Sequence, residues 1–222
     1  MTTRRKFLTT ASIGGAAALA TPAIVQAQST IKWRFQTYAG GALGEHVTKP
    51  VIDYINANSN GELQVELFYA DQIVPTGELF QALQRGTIDG VHSDDDSMAS
   101  PTPLRMFGGY FPFATKHILD VPVLFNQYGL KEIWEEEYAK VGVKWISAAG
   151  QDPCNFNTKK EITSVGDLDG LRLYSFPTAG RFLAKFGVVP MNIPYEDAEV
   201  AVQTGELDGM AWSGITEDYT VG

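Results

Sequence analysis

The side chains in this sequence that could do chemistry are acids and aromatic rings, with no nucleophile placed beside a base. His92-Ser93-Asp94-Asp95-Asp96 sets three successive carboxylates next to an imidazole, and Glu217-Asp218 forms a second acidic pair. Tyr38, Tyr174, Tyr195 and Trp212 offer ring faces, each worth ~0.5–2 kcal/mol to a cation depending on how dry the site is. A buried ammonium also needs a carboxylate to offset its desolvation, and these acids are the nearest candidates. One histidine with adjoining carboxylates has no fixed ligand geometry, so no metal is expected. The sequence contains no H-E-x-x-H, C-x-x-C, G-x-S-x-G or P-loop, the common signatures of metal-assisted, redox, acyl-transfer and nucleotide chemistry. The expectation is a binder of small molecules, without cofactor, and not an enzyme. The acids have a plainer reading too, as a solvated charge run, and strand alternation keeps all three from facing one cleft.

These residues fall where strands should end. Residues 31–38 are β-rich, and Gly40-Gly41 breaks them. Val47, Val51, Ile52 and Ile55 then give residues 43–58 helical spacing. Residues 63–69 read as a second strand, 78–85 as a short helix closed by Gly86, and 88–91 as a brief buried strand. The order returns with strands at 171–175, 188–193 and from 207, and helices at 179–186 and 195–203. Pro75, Ala82, Gln84, Gly86, Asp89 and Gly90 recur 119 residues later (89 to 208) as Pro194, Ala201, Gln203, Gly205, Asp208 and Gly209. Alternating strands and helices predict an α/β fold with largely parallel sheets, here in two similarly built lobes. Between them, residues 128–138 predict a helix with a solvated acidic face. Residues 141–149 predict a strong strand, after which the chain crosses to the second lobe.

The N-terminus decides the compartment. Arg4-Arg5-Lys6, a soft apolar run, and Val25-Gln26-Ala27 compose a secretory signal over residues 1–27, and Arg4-Arg5 before Phe7-Leu8 resembles a twin-arginine export signal. An ordinary secretory signal is the alternative. Removing its three basic residues from 17 leaves 14 against 26 acids, a net charge of −12. Phosphate backbones repel such a chain, so nucleic acid is not an expected partner. Cys154 is the only cysteine, which excludes an intrachain disulfide and leaves stability to the core.

Three segments in order, Gly86-Thr87-Ile88-Asp89, Asp167-Leu168-Asp169-Gly170-Leu171-Arg172-Leu173 and residues 201–209 (AVQTGELDG), resemble the solute-binding proteins of tripartite ATP-independent periplasmic (TRAP) transporters, DctP-like. The resemblance runs from about residue 31 to the end. It implies a two-lobed periplasmic-binding-protein-like fold with hinge strands, closure on a small organic solute, and delivery to membrane subunits. Family members are longer, so it also implies a member missing its C-terminal part. The expected division is a signal at 1–27, a first lobe at 28–149, a second at 150–211, and a return crossing at 212–222.

The family's carboxylate-gripping arginine falls here on Tyr174, a second arginine position on Cys154-Asn155, and a frequent asparagine on Trp212, while the aromatic before the last helix is kept as Tyr195. The scaffold matches and the anion-gripping residues do not. The candidate ligand residues are therefore Tyr38, His92, Asp94, Asp95, Asn155, Tyr174, Tyr195, Trp212 and Asp218, around a cationic amine. A carboxylate or neutral solute is the alternative, with Arg181 as a replacement anchor; an exported α/β enzyme is the remoter one. Tyr174 is equally a strand aromatic of the core, and Tyr195 a helix-start packing residue.

Overall fold

The computed structural model describes residues 29–109, 111–151, 153–191, 193, 195–211 and 214, the side chains of Ala42, Tyr195 and Glu196 excepted. The signal segment and residues 212–213 and 215–222 lie outside them.

Strand β1 (Ile31–Thr37) is followed by a helical turn at Gly41–Leu43, a π-helical turn at Gly44–Thr48 and helix α1 (Lys49–Asn58). Strand β2 (Leu63–Phe68), helix α2 (Leu79–Gln84) and strand β3 (Gly90–His92) complete the first sheet, all parallel in the order β2-β1-β3. Two helices come next, α3 (Asp120–Gln127) and α4 (Leu130–Lys140). The second sheet contains β4 (Phe156–Thr158), β5 (Arg172–Ser175), β6 (Val189–Met191) and β7 (Gly209–Ala211), in the order β4-β7-β5-β6. Helices α5 (Pro177–Leu183) and α6 (Tyr195–Thr204) make its crossovers. Strand β4 pairs antiparallel with β7, and the other pairs are parallel. The mixed α/β class expected from the sequence is the class observed.

The repeated motif is a repeated piece of architecture. In each half, the helix before the last strand ends at a glycine in the left-handed region, Gly86 (φ +71°) and Gly205 (φ +87°), a conformation costly for any residue with a Cβ. The chain then turns under that helix, with Thr87 N bonded to Ala82 O and Leu207 N to Ala201 O, both at 2.9 Å. This drives Ile88 and Leu207, each 1% exposed, into the cores.

An aspartate follows and clamps the central strand. Asp89 Oδ2 accepts from Arg34 N (2.8 Å) and Nε (3.2 Å), while Arg34 Nη2 donates to Gly86 O (2.7 Å). Asp208 Oδ2 accepts from Arg172 N (2.9 Å) and Nε (3.0 Å), and Arg172 Nη2 donates to Gly205 O and Asp208 Oδ1 (2.9 Å each). The last strands then enter in equivalent register, Gly90 beside Phe35 and Gly209 beside Leu173. A Cβ at Gly90 would strike the Phe35 ring, and one at Gly209 the Asn157 carbonyl, so both positions admit only glycine without a shift.

The first core gathers Leu79, Phe80, Ala82 and Ile88 of the sheet region with Trp134 and Tyr138, one helical turn apart on α4. Two smaller clusters flank the second sheet, one around Tyr174, Ala198 and Leu207 and one around Leu168, Leu173 and Leu183.

Two expectations about elements are corrected. Residues 141–149, expected as a strand, form none. Val141, Val143 and Trp145 pack against the first core while Lys144 and Ile146 point out, so the period of two is real; what is lacking among the described residues is a partner ladder, without which an extended segment is not a strand. Residues 120–127 form a helix where none was expected. Its Pro122 lies in the first turn, where the missing N–H has no intrahelical partner to lose.

Candidate ligand site

Each sheet has the order in which successive crossovers run to opposite sides of the central strand, so the carboxyl ends of β1 and β3, and of β5 and β7, flank a crevice. Open α/β sheets bind ligands at that switch point. In the first sheet, Thr37 and His92 end the two strands in register. His92 Nδ1 lies 2.9 Å from Thr37 Oγ1 and 2.9 Å from Thr48 Oγ1, and Thr48 Oγ1 donates to Thr37 Oγ1 at 3.2 Å. Thr48 is the last residue of the π-helical turn, and such turns re-aim side chains at functional sites. Burial pushes the His92 pKa down, so the imidazole is neutral. The Tyr38 ring lies edge-on to it, 5.5 Å between centroids.

The three aspartates after β3 have three different environments. Asp94 Oδ1 accepts from the backbone N–H groups of Asp96 (2.9 Å) and Ser97 (2.8 Å). Its Oδ2 and the hydroxyls of Ser93 and Ser97 are buried with no partner within hydrogen-bond geometry. Burial pushes the Asp94 pKa up, against the Ser97 hydroxyl and the backbone N–H groups of Ser97 and Asp96. Asp95 turns into the first core, where Trp134 Nε1–H donates to Oδ2 (3.1 Å) and the Tyr138 hydroxyl to Oδ1. Burial raises both Asp95 and Tyr138, which keeps the phenol protonated as a donor. Both of its oxygens are thus occupied by protein.

Asp96 reaches across to the second sheet. Its side chain is 0% exposed; Oδ1 accepts from Arg105 Nε at 2.9 Å and Oδ2 from the backbone N–H of Thr178 at 2.8 Å. Thr178 is in the first turn of α5, which starts Phe176-Pro177-Thr178 and has no capping side chain of its own. The acid of one half therefore caps a helix of the other, satisfying an orphan N–H where the helix dipole favours negative charge. Arg181 of α5 donates to Thr178 Oγ1 (3.2 Å) and lies 3.7 Å from the Met106 sulfur.

At the second strand ends the groups are less polar. Tyr174 is buried at 5% exposure in the sheet's own core, with its ring 6.0 Å from Phe176, and so has the packing role left open for it. Ser175 is 1% exposed, and its hydroxyl has no partner within hydrogen-bond geometry. Asn155 Nδ2 donates to Pro153 O (2.9 Å) just before β4. Tyr195 is the first residue of α6, while Trp212, Glu217 and Asp218 lie outside the described residues. The structure thus gathers Tyr38, His92 and Asp94 at one strand-end edge, and directs Asp95 and Tyr174 into the cores. Sequence reasoning missed Thr37, Thr48 and the bridging role of Asp96. The missing cap at Phe176-Pro177 was the signal for the last.

Among the described residues, no group of three or more His, Cys, Asp or Glu is arranged to hold a metal ion, and no helix is long and apolar enough to cross a membrane. Two surface cavities of about 260 and about 410 Å³, one beside Phe125 and Trp145 and one beside Gln84, Arg85, Ala99 and Pro101, have none of the candidate ligand residues in their walls.

Comparison with known proteins agrees with this geometry. Residues 40–217 match the family model for bacterial extracellular solute-binding proteins, family 7 (DctP). A TRAP periplasmic solute binding protein from Chromohalobacter salexigens, solved with bound (S)-(+)-2-amino-1-propanol, is 70% identical, with a TM-score of 0.84 over 87% of this chain and 61% of that one. The monocarboxylate 2-oxoacid-binding periplasmic protein of Nostoc sp. is 27% identical over 99% of this chain and 62% of its own length. The ectoine-binding periplasmic protein TeaA of Halomonas elongata is 24% identical over 92% and 59%. The chain spans about three fifths of the length of each of these relatives. With paired α/β sheets, facing strand-end loops and a family match over most of its length, the chain belongs to the DctP family of TRAP-type bacterial extracellular solute-binding proteins.

Proposed function

We propose that this chain is the solute-capturing part of an exported TRAP binding protein that takes a small amine or amino alcohol between two lobes, residues 28–149 and 150–211. The lobes close about their connections, and the solute passes unchanged to the transporter's membrane subunits. Export through a twin-arginine signal at residues 1–27 puts the protein in the periplasm. The observation that carries the reading is the 70% identity to a protein solved with an amino alcohol.

The local chemistry supports it. Asp94 Oδ2 has no partner within hydrogen-bond geometry, the nearby Ser97 hydroxyl favouring the ionised carboxylate, the neutral His92 adds no charge to repel a cation, and on the resemblance the family's arginine positions fall on Tyr174 and Cys154-Asn155. On this reading Asp94 meets the ammonium, Tyr38 gives a ring face and Asn155 comes from the second lobe, while Tyr195, Trp212 and Asp218 stay candidates from the sequence alone. A second reading, a 2-oxoacid ligand, draws on the Nostoc relative at much lower identity.

Calorimetry with (S)-2-amino-1-propanol, ectoine and pyruvate tests the proposal. The amino alcohol is expected to bind, with affinity falling at least tenfold in Asp94→Asn, as removing one partner of a charged hydrogen bond costs about 1.5–3 kcal/mol. Pyruvate binding that is tight and indifferent to Asp94→Asn would overturn it.

A further inference from the structure

We infer that Asp96 is a positioning residue of the ligand site, a carboxylate clasp that holds the β5–α5 turn of the second sheet against the strand-end loop of the first. The inference rests on the reading above, in which the solute lies between those two edges. Three observations carry it. The Asp96 side chain is fully buried, yet its partners come from both halves, Arg105 from the loop after β3 and the Thr178 N–H from the start of α5. Helix α5 has no capping side chain of its own, so the clasp supplies the acceptor that its first turn lacks. The same loop contains Asp94, whose backbone-anchored carboxylate fixes residues 94–97 as one turn, so a shift of Asp96 is a shift of Asp94 as well.

Parting the two edges uncovers a carboxylate, a guanidinium and a helix terminus, all of which water can solvate. The clasp is therefore a contact that can be made and broken, unlike the apolar cores on either side of it. With it made, the β5–α5 turn is tied to the loop that contains Asp94. Without it, the bound solute is released sooner, because the second edge no longer stays in place.

Amide exchange and ligand kinetics on the full-length protein test this together. In Asp96→Ala, exchange at the Thr178 amide should accelerate at least tenfold without ligand, while the Ile88 and Leu207 amides of the two cores stay within twofold of wild type. Asp96→Asn, which keeps one acceptor, should fall between. With (S)-2-amino-1-propanol as probe, Asp96→Ala should raise the dissociation rate at least tenfold and leave the association rate within threefold. Unchanged exchange at Thr178, acceleration spread equally over both cores, or an unchanged dissociation rate would each overturn the inference. If the wild type does not bind the probe, the amine reading fails, and the clasp is decided by the exchange measurements alone.

Discussion

Replacing Asp208 with asparagine tests the clamp that the two halves share. The Arg172 guanidinium and backbone N–H hold the Asp208 carboxyl down at about 2, against ~3.9 in an unfolded chain. That difference of roughly two units corresponds to a ceiling of about 2.6 kcal/mol. The Asp208 side chain is 33% exposed and that of Arg172 44%, so solvent screening reduces the expected value to about 1 kcal/mol. The sign follows from the depressed carboxyl. The unfolded chain takes up the proton first, so the contribution is fully present above pH ~4 and is lost as pH falls toward 2. Urea unfolding followed by circular dichroism at pH 7, 5 and 3 should show Asp208→Asn less stable by about 1 kcal/mol at pH 7 and 5, with the gap closing at pH 3. Asparagine retains an oxygen for the Arg172 N–H, so the pH-dependent part isolates the ionic contribution. A gap that is constant from pH 7 to 3, or that widens in acid, would refute the reasoning.

Two further outcomes are expected. Burial depresses His92 below its usual range, so wild-type stability should decline as pH drops below ~6.5, where the unfolded chain becomes protonated and the folded site resists. His92→Gln should flatten that slope between pH 7 and 5 in the same unfolding assay, and an unaltered slope would assign it elsewhere. Replacing Arg4 and Arg5 with lysines should leave unprocessed precursor in the cytoplasm by fractionation and immunoblot; normal export would remove the twin-arginine route and leave an ordinary secretory signal.

The elements legible in the sequence were those whose signals are local. Gly86 and Gly205 marked helix ends because a positive φ leaves few alternatives, and the repeat containing Asp89 and Asp208 reported two similar halves but not their arginine partners, 55 and 36 residues away. Residues 141–149 misled because alternation reports which face is buried and not whether a neighbouring strand supplies hydrogen bonds. The candidate site was legible in position and not in role. Asp94, Asp95 and Asp96 are identical letters in succession, and only their partners separate them: backbone amides, Trp134 with Tyr138, and Arg105 with Thr178. Those partners lie up to 82 residues away, beyond any local pattern.

The repeat explains why the two edges of the site should contribute unequally. Clamp, glycine turn and strand register are conserved between the halves of this one chain, from Arg34–Asp89 and Gly90 to Arg172–Asp208 and Gly209. One step past the shared scaffold the residues diverge. Thr37 and Tyr38 at the end of β1 correspond to Ser175 and Phe176 at the end of β5, and His92 at the end of β3 corresponds to Ala211 at the end of β7. Among the described residues, the imidazole at the end of β3 thus has only a methyl group at the equivalent position of β7. Strand-end loops can diverge in this way because the clamps hold the strands in register without them.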